Sequence, residues 1–329
     1  MPGTYTSPGA SRAHSDEVTV SKTVLLATEK PFSAAARDEV VAIIKSSGYT
    51  ARVLESYKGK APLLEAIADA DAAIIRSDII DAEVLGAAKK LALVVRAGAG
   101  YDNVDTATAK SKNIAVMNTP GQNANAVAEL AFGMMIYQLR GKFDGKTGTE
   151  LRGKTLGLHA FGMVARAVAT LAKGFGMTVY AVDPFVKPEV FQAAGVEPVG
   201  SVEELYKRSQ FVSLHVPATA ETKGSIGKKL LSLMPKGGML VNTARKEIIN
   251  EAELLEVLAE RADLRYVSDI PPSDATLATL KEKFAARVYV VPSKMGAQTE
   301  EANVNAGLAA ARQIVGFFER GEKNFIVNP

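Results

Sequence analysis

Short apolar runs alternate with longer stretches in which apolar residues recur every three or four positions, along most of the chain. The short runs read as buried strands and the longer ones as amphipathic helices, an alternation that predicts parallel βαβ units. A first series of strands is expected at 23–27, 51–54, 72–75, 93–95 and 114–117, with helices near 34–46, 63–70 and 82–88. A long helix follows at about 125–140. A second series of strands is expected at 155–159, 178–182, 211–215, 239–242, 266–269 and 288–291, separated by helices such as 164–174, 202–207, 228–233 and 251–259. A last helix, roughly 299–319, precedes NFIVNP, read as a closing strand.

Six strands with intervening helices suit a doubly wound dinucleotide fold, with right-handed crossovers placing helices on both faces. The long helices flanking the second series suggest a discontinuous arrangement. The expected fold class is therefore α/β with two doubly wound parallel sheets. A Rossmann-type cofactor domain, 120–298, is inserted in a flavodoxin-like substrate domain made of 23–119 and 299–329. A ligand would lie where the carboxyl ends of both sets of strands meet. Residues 1–22 are rich in Ser, Thr, Gly and Pro and read as a disordered tail. They lack the apolar core of a secretory signal, and Asp16 and Glu17 beside a single Arg argue against a transit peptide.

Composition narrows the chemistry. With 39 basic and 36 acidic residues in 329 the charge is nearly balanced, so neither nucleic acid nor a membrane surface is an expected partner. The apolar stretch 126–139 is broken by Glu129 and is too short to span a bilayer. There is no cysteine, which removes disulfides, thiolate nucleophiles and Cys-ligated zinc. His14, His159 and His215 are scattered, so no metal site is expected. An ordinary cytoplasmic enzyme is the expectation.

After TLGLH comes Ala160-Phe161-Gly162-Met163-Val164-Ala165, opening a helix. This is the dinucleotide loop G-x-G-x-x-G/A with alanine in the first place. Gly162 stands where the backbone must approach a pyrophosphate, and Ala165 is small enough for helix-on-strand packing. Ala160 departs from the pattern, since the first glycine serves a tight turn. Asp183 ends the next strand, 21 residues beyond Gly162, at the distance of a carboxylate that accepts from ribose hydroxyls. A carboxylate there repels a 2′-phosphate, so NAD is expected rather than NADP. The plainer alternative is an Asp that caps the turn before Pro184.

Polar clusters recur at strand ends: Arg76-Ser77-Asp78, the loop 96–103, Asn118-Thr119-Pro120-Gly121, Asn242-Thr243-Ala244-Arg245 and Lys294-Met295-Gly296-Ala297. A lone arginine there is usually just solvated. Arg76, Arg96 and Arg245 with glycine loops and Lys294 make a site for a small anion.

RAGAGYDNVD, NTPGQN, the strand–glycine loop–VDP unit, LHVPATAETKG, MPKGGMLVNTAR and MGAQTEEA stand in an order and spacing that resembles the D-isomer-specific 2-hydroxyacid dehydrogenases, over residues 23–327. Within that family the chain is most similar to the short members that carry lysine in place of a catalytic histidine and act on 3-phosphoglycerate. The resemblance implies NAD-dependent oxidation of 3-phospho-D-glycerate to 3-phosphohydroxypyruvate, the entry to serine biosynthesis, by a homodimer joined through the cofactor domain. It gives Arg245 the substrate carboxylate and the 2-keto oxygen, and Lys294 the acid/base role. Arg76, Ser77, Ala97, Gly98 and Ala99 match substrate contacts, and Arg140 matches an arginine that reaches the phosphate in some relatives. Gly162, Met163, Val164, Asp183, Val216, Pro217, Thr243, Ala244, Asp269, Gly296 and Ala297 match cofactor contacts, Asp269 lying near the nicotinamide carboxamide.

The family usually pairs its histidine with a glutamate five residues after the position of Asp269. Here that place holds Asp274, one methylene shorter. Lysine starts near 10.4 and must have its pKa lowered to act as a base near neutrality, so Arg245 and a partly dry cleft would help it while a carboxylate partner would not. Lys294 is thus expected to work alone, with Asp274 optional and His215 packed beside the cofactor rather than serving as base. Two other functions stay open: a reductase of glyoxylate, hydroxypyruvate or another small 2-keto acid, and a non-catalytic NAD-sensing module.

Overall fold

The structure, a computed structural model, describes residues 21–329. Most of the expected tail, with His14, Asp16 and Glu17, lies outside the described residues. Five strands, β1 (Thr23–Thr28), β2 (Thr50–Glu55), β3 (Ala72–Ile75), β4 (Leu93–Arg96) and β5 (Ala115–Asn118), form one parallel sheet in the order β2-β1-β3-β4-β5. Helices α1 (Ala34–Ser46), α2 (Ala61–Ile67), α3 (Ala82–Ala87) and α4 (Thr106–Ser111) connect them. Both faces of the sheet are covered. Val24 and Leu26 point into one apolar core while Leu25 and Ala27 point into the other. A strand buried on both faces has no polar side to show, which is why VLLA reads as a continuous apolar run.

The helix α5 (Ala124–Leu139) leads into a second parallel sheet. Its strands are β6 (Thr155–His159), β7 (Thr178–Val182), β8 (Glu197–Pro198), β9 (Phe211–Leu214), β10 (Met239–Asn242), β11 (Arg265–Ser268) and β12 (Val288–Val290), in the order β12-β11-β10-β9-β6-β7-β8. Helices α6 (Met163–Gly174), α7 (Pro188–Ala194), α8 (Val202–Arg208), α9 (Lys228–Leu231), α10 (Glu251–Glu260) and α11 (Asp274–Lys283) cover its faces. The order is that of the dinucleotide fold, with the strand order reversing between β6 and β9.

The last helix, α12 (Glu300–Arg320), returns to the first sheet. Ala306, Ala310, Ala311 and Ile314 join the core of β1, β3 and β4, and Gly307 packs against Phe32 and Val40. Two details differ from the sequence reading. The two-residue strand β8 was not expected, because two residues carry no periodicity. NFIVNP is not a strand. Ile326 forms a single antiparallel bridge to Met117, and the segment is tacked to the sheet edge by Val327 N–H to Val116 O (2.8 Å) and by the Asn328 side chain.

Candidate active site

Helix N-termini show where a ligand is wanted. Most are closed by their own side chains: Ser33 on α1, Asp81 on α3, Asp105 on α4, Ser201 on α8, Asn250 on α10, Ser273 on α11 and Thr299 on α12 each accept a first-turn N–H. Helices α5 and α6, which begin at the carboxyl ends of β5 and β6, have no such cap. At α6 the capping position is Gly162, around which a Cβ would meet nothing within 4 Å. Uncapped N–H groups and the positive end of a helix dipole in open space form a cradle for a phosphate anion.

The loop that feeds this helix is strained where the sequence departs from the glycine pattern: Ala160 has φ +73°. Asp183 accepts from Phe161 N–H (2.8 Å) with one oxygen and from Phe185 N–H (2.9 Å) with the other. It therefore ties the phosphate loop to the turn after β7, and each oxygen keeps a lone pair for a ribose hydroxyl. Both roles weighed from sequence are compatible with this geometry. Met163 is half exposed and lies over Gly121, where a Cβ would come within 2.9 Å of Met163 Cε; Gly121 itself has φ +85°.

Farther along the same edge, Val216 is half-buried against the core and Pro217 is exposed, its carbonyl accepting from Thr222 Oγ1. Thr243 is buried with Oγ1 unpartnered, and Asn123 Oδ1 and His215 Nε2 are likewise buried without a partner. Orphaned polar atoms along one edge are what a polar cofactor would satisfy. Burial pushes His215 down to about 3 and His159 to about 4, so both are neutral near pH 7.

Asn242 shapes the turn that carries Arg245. Its Oδ1 accepts from Ala244 N–H (3.0 Å) and its Nδ2 donates to Arg245 O (3.0 Å). Arg245 Nη1 donates to Ala244 O, and Nη2 lies 3.5 Å from Asp102 Oδ2. The Lys294 loop is pinned from below by the buried Asp269, which accepts from Met295 N–H (2.8 Å) and Gly296 N–H (3.0 Å). Gly296 is required there, since a Cβ would sit 2.6 Å from Asp269 Oδ2. Ala297 follows, half-buried. Burial raises the Asp269 pKa, and the two N–H bonds and Lys294 partly offset that.

Lys294 is open to solvent in the cleft yet flanked by protein. Loss of bulk hydration and the charge of Arg245 lower its pKa, with Arg96 adding to the effect and Asp269 and Asp102 opposing it. Asp274 is an exposed first residue of α11 and is not among the charges acting on Lys294. The carboxylates that act on Lys294 are Asp269, read from the sequence only as a cofactor contact, and Asp102, which the sequence reading gave no role.

The first sheet supplies the facing wall. Ala97 N–H is already used by Ile75 O (2.8 Å), whereas the amides of Gly98 and Ala99 find no partner among the described residues. Ser77 is exposed beside them. Arg76 is largely committed: Nη1 donates to Lys30 O and Pro31 O, Nη2 donates to Asn303 Oδ1, and the guanidinium lies over Phe32. Arg96 is the freer cation. Its Nε is buried without a partner, its Nη1 reaches only Ala97 O at 3.4 Å, and a Cβ on Gly98 would overlap its guanidinium. Arg140 is a correction. It ends α5, 16 residues or roughly 24 Å along the helix from the cleft. There it lines a separate hollow of about 270 Å³ with Ile136, Leu139, Leu151 and Phe175, so this chain's own fold does not bring it to the site.

Comparison with known proteins agrees with this geometry. Residues 121–286 match the NAD binding domain of the D-isomer specific 2-hydroxyacid dehydrogenases. A crystal structure of NAD+-bound 3-phosphoglycerate dehydrogenase from Entamoeba histolytica superposes with a TM-score of 0.83 at 44% identity, covering 94% of this chain and 99% of that one. D-3-phosphoglycerate dehydrogenase of Methanocaldococcus jannaschii is 39% identical over 78% of this chain, which spans about half (51%) of that protein's length. Hydroxypyruvate reductase of Thermotoga maritima is 37% identical over 80% of this chain and 89% of its own length. The chain belongs to the D-isomer specific 2-hydroxyacid dehydrogenases, and residues 121–286 are its NAD-binding domain.

Proposed function

We propose that the protein oxidises 3-phospho-D-glycerate to 3-phosphohydroxypyruvate with NAD, and reduces the keto acid in the reverse direction. The observation that carries this reading is the convergence of Arg96, Arg245 and Lys294 on one cleft, with Asp102 and Asp269 as opposing charges. Such an excess of cations suits a substrate bearing both a carboxylate and a phosphate. NAD supplies the hydride acceptor. Arg245 and the free amides of Gly98 and Ala99 hold the carboxylate. Arg96, helped by Arg76 and Ser77, faces the phosphate. Lys294, its pKa lowered by lost hydration and by Arg245, takes the hydroxyl proton in its neutral form during oxidation and returns it during reduction. Arg245 also stabilises the negative charge that develops on that oxygen.

The first helix turn at Gly162, Met163 and Val164 cradles the pyrophosphate and Asp183 the ribose. Val216, Pro217, Thr243, Ala244, Asp269, Gly296 and Ala297 line the nicotinamide side. In this reading the domain boundaries lie at 119/120 and 298/299. The protein works in the cytoplasm as a homodimer joined through the cofactor domain; Phe143, 66% exposed in the turn that follows α5, supports that surface. Light scattering of wild type against Phe143→Asp tests the dimer.

The resemblance to hydroxypyruvate reductase favours one second reading, a reductase of unphosphorylated 2-keto acids. Initial rates of NADH oxidation with 3-phosphohydroxypyruvate, hydroxypyruvate and glyoxylate separate the two. A kcat/KM for the phosphorylated acid at least tenfold above the others supports the first reading, and the opposite order overturns it.

A further inference from the structure

Asp102 differs from every other carboxylate around the cleft. Asp78 accepts from Glu29 N–H, Arg76 N–H and Tyr57 Oη; Asp105 caps α4; Asp269 pins the Lys294 loop. Each is committed to the fold. Asp102, on the loop between β4 and α4, makes no hydrogen bond among the described residues, and its side chain is 88% exposed. Its contact is with Arg245, 3.5 Å away, on the turn after β10 of the other sheet. The pair therefore spans the cleft. The loop leaves room for it: a Cβ on Gly100 would stand 3.0 Å from Arg245 Nη2 and 3.4 Å from Asp102 Oδ2. Glycine at 100 keeps clear the space in which guanidinium and carboxylate meet.

We propose that Asp102 is a displaceable stand-in for the substrate's carboxylate, occupying Arg245 before substrate binds, yielding it to the incoming acid and reclaiming it as product leaves. The proposal rests on the reading of Arg245 as the carboxylate anchor. An exposed ion pair is weak because water solvates both partners. A substrate carboxylate that also bonds the free amides of Gly98 and Ala99 displaces it. When those bonds loosen, Asp102 competes again, which opposes the retention of an anionic product among Arg96, Arg245 and Lys294. Asp102 is thus a positioning residue and touches no reacting atom.

The test uses the full chain with NADH and 3-phosphohydroxypyruvate, with oxalate and inorganic phosphate as inhibitors. Asp102→Asn keeps the shape and removes the charge. It is expected to lower KM and the oxalate inhibition constant together, by about two- to fivefold, while phosphate inhibition and the thermal midpoint stay as in wild type. Asp102→Glu restores the competitor and the wild-type constants. Unchanged KM and oxalate inhibition in Asp102→Asn overturn the proposal. So does equal tightening of oxalate and phosphate, which would make Asp102 a general field charge. Arg245→Gln separates the two readings. If it leaves oxalate inhibition intact, the anchor reading fails. If it abolishes that inhibition while Asp102→Asn changes nothing, only the role of Asp102 fails.

Discussion

At the residue scale, Lys294 is governed by the charges around it. Ketone reduction needs its protonated form and alcohol oxidation its neutral form, so kcat/KM for oxidation rises with pH through a pKa held below the ordinary lysine value. Arg96 is one of the cations that lower it. Arg96→Gln is therefore expected to move the rising limb of that profile to higher pH. The same change should raise KM more for phosphorylated than for unphosphorylated keto acid. Lys294→Arg keeps the charge but cannot give up its proton, and it should lose about 10²- to 10⁴-fold in turnover; near-normal rates would remove Lys294 from the chemistry. Ala160 offers a test of strain. At φ +73° it occupies the region that glycine favours, so Ala160→Gly should stabilise the fold by about 1 kcal/mol, read as a higher denaturant midpoint.

The sequence made Ala160, Lys294 and Arg245 visible because their neighbours form ordered motifs. It could not rank Arg76 against Arg96. Both end strands, and only the folded chain shows Arg76 spent on carbonyls and Arg96 left free. Asp274 was reached by counting positions; it is an exposed residue of the first turn of α11, and the carboxylates acting on Lys294 are Asp269 and Asp102.

At the element scale, the uncapped start of α6 separates stability from function. Seven helices carry the side-chain caps named above, and a cap is usually worth about 1 kcal/mol. Gly162 forgoes one at a position where a side chain would fit without collision. Gly162→Asp should cap the helix and hold or raise the thermal midpoint, while its charge repels the pyrophosphate and raises KM for NAD at least about tenfold. A variant that binds NAD normally would show that this helix end is not the phosphate cradle. Strands buried on both faces, such as β1, were legible because four consecutive apolar residues need two cores. The terminal NFIVNP misleads for the same reason: apolar content alone does not distinguish a strand from a segment fastened by one bridge and an asparagine.

At the scale of the whole molecule, two sheets share one cleft because α5 leaves the first sheet for the second and α12 returns. The second sheet also encloses His159 and His215, with folded-state pKa values near 4 and 3. An unfolded histidine binds a proton below about 6.5, and these two do not while folded. Stability is therefore undiminished above that pH and declines as pH falls toward 4. Each histidine costs up to about 1.4 kcal/mol per pH unit across the window. Thermal midpoints measured from pH 7 to 4 should fall, and the fall should be shallower in His215→Gln. An equal slope in that variant would mean the imidazole titrates freely.

By itself the sequence determined the alternating strands and helices, the phosphate loop, the acid at 183 and the order of motifs, because each is a local pattern written in neighbouring residues. The tertiary structure decided which charges act together. Asp102 and Arg245 are 143 residues apart and meet only because loops from two separate sheets close on one cleft. Electrostatic coupling depends on distance through space and on how much water remains between charges, and neither is written along the chain.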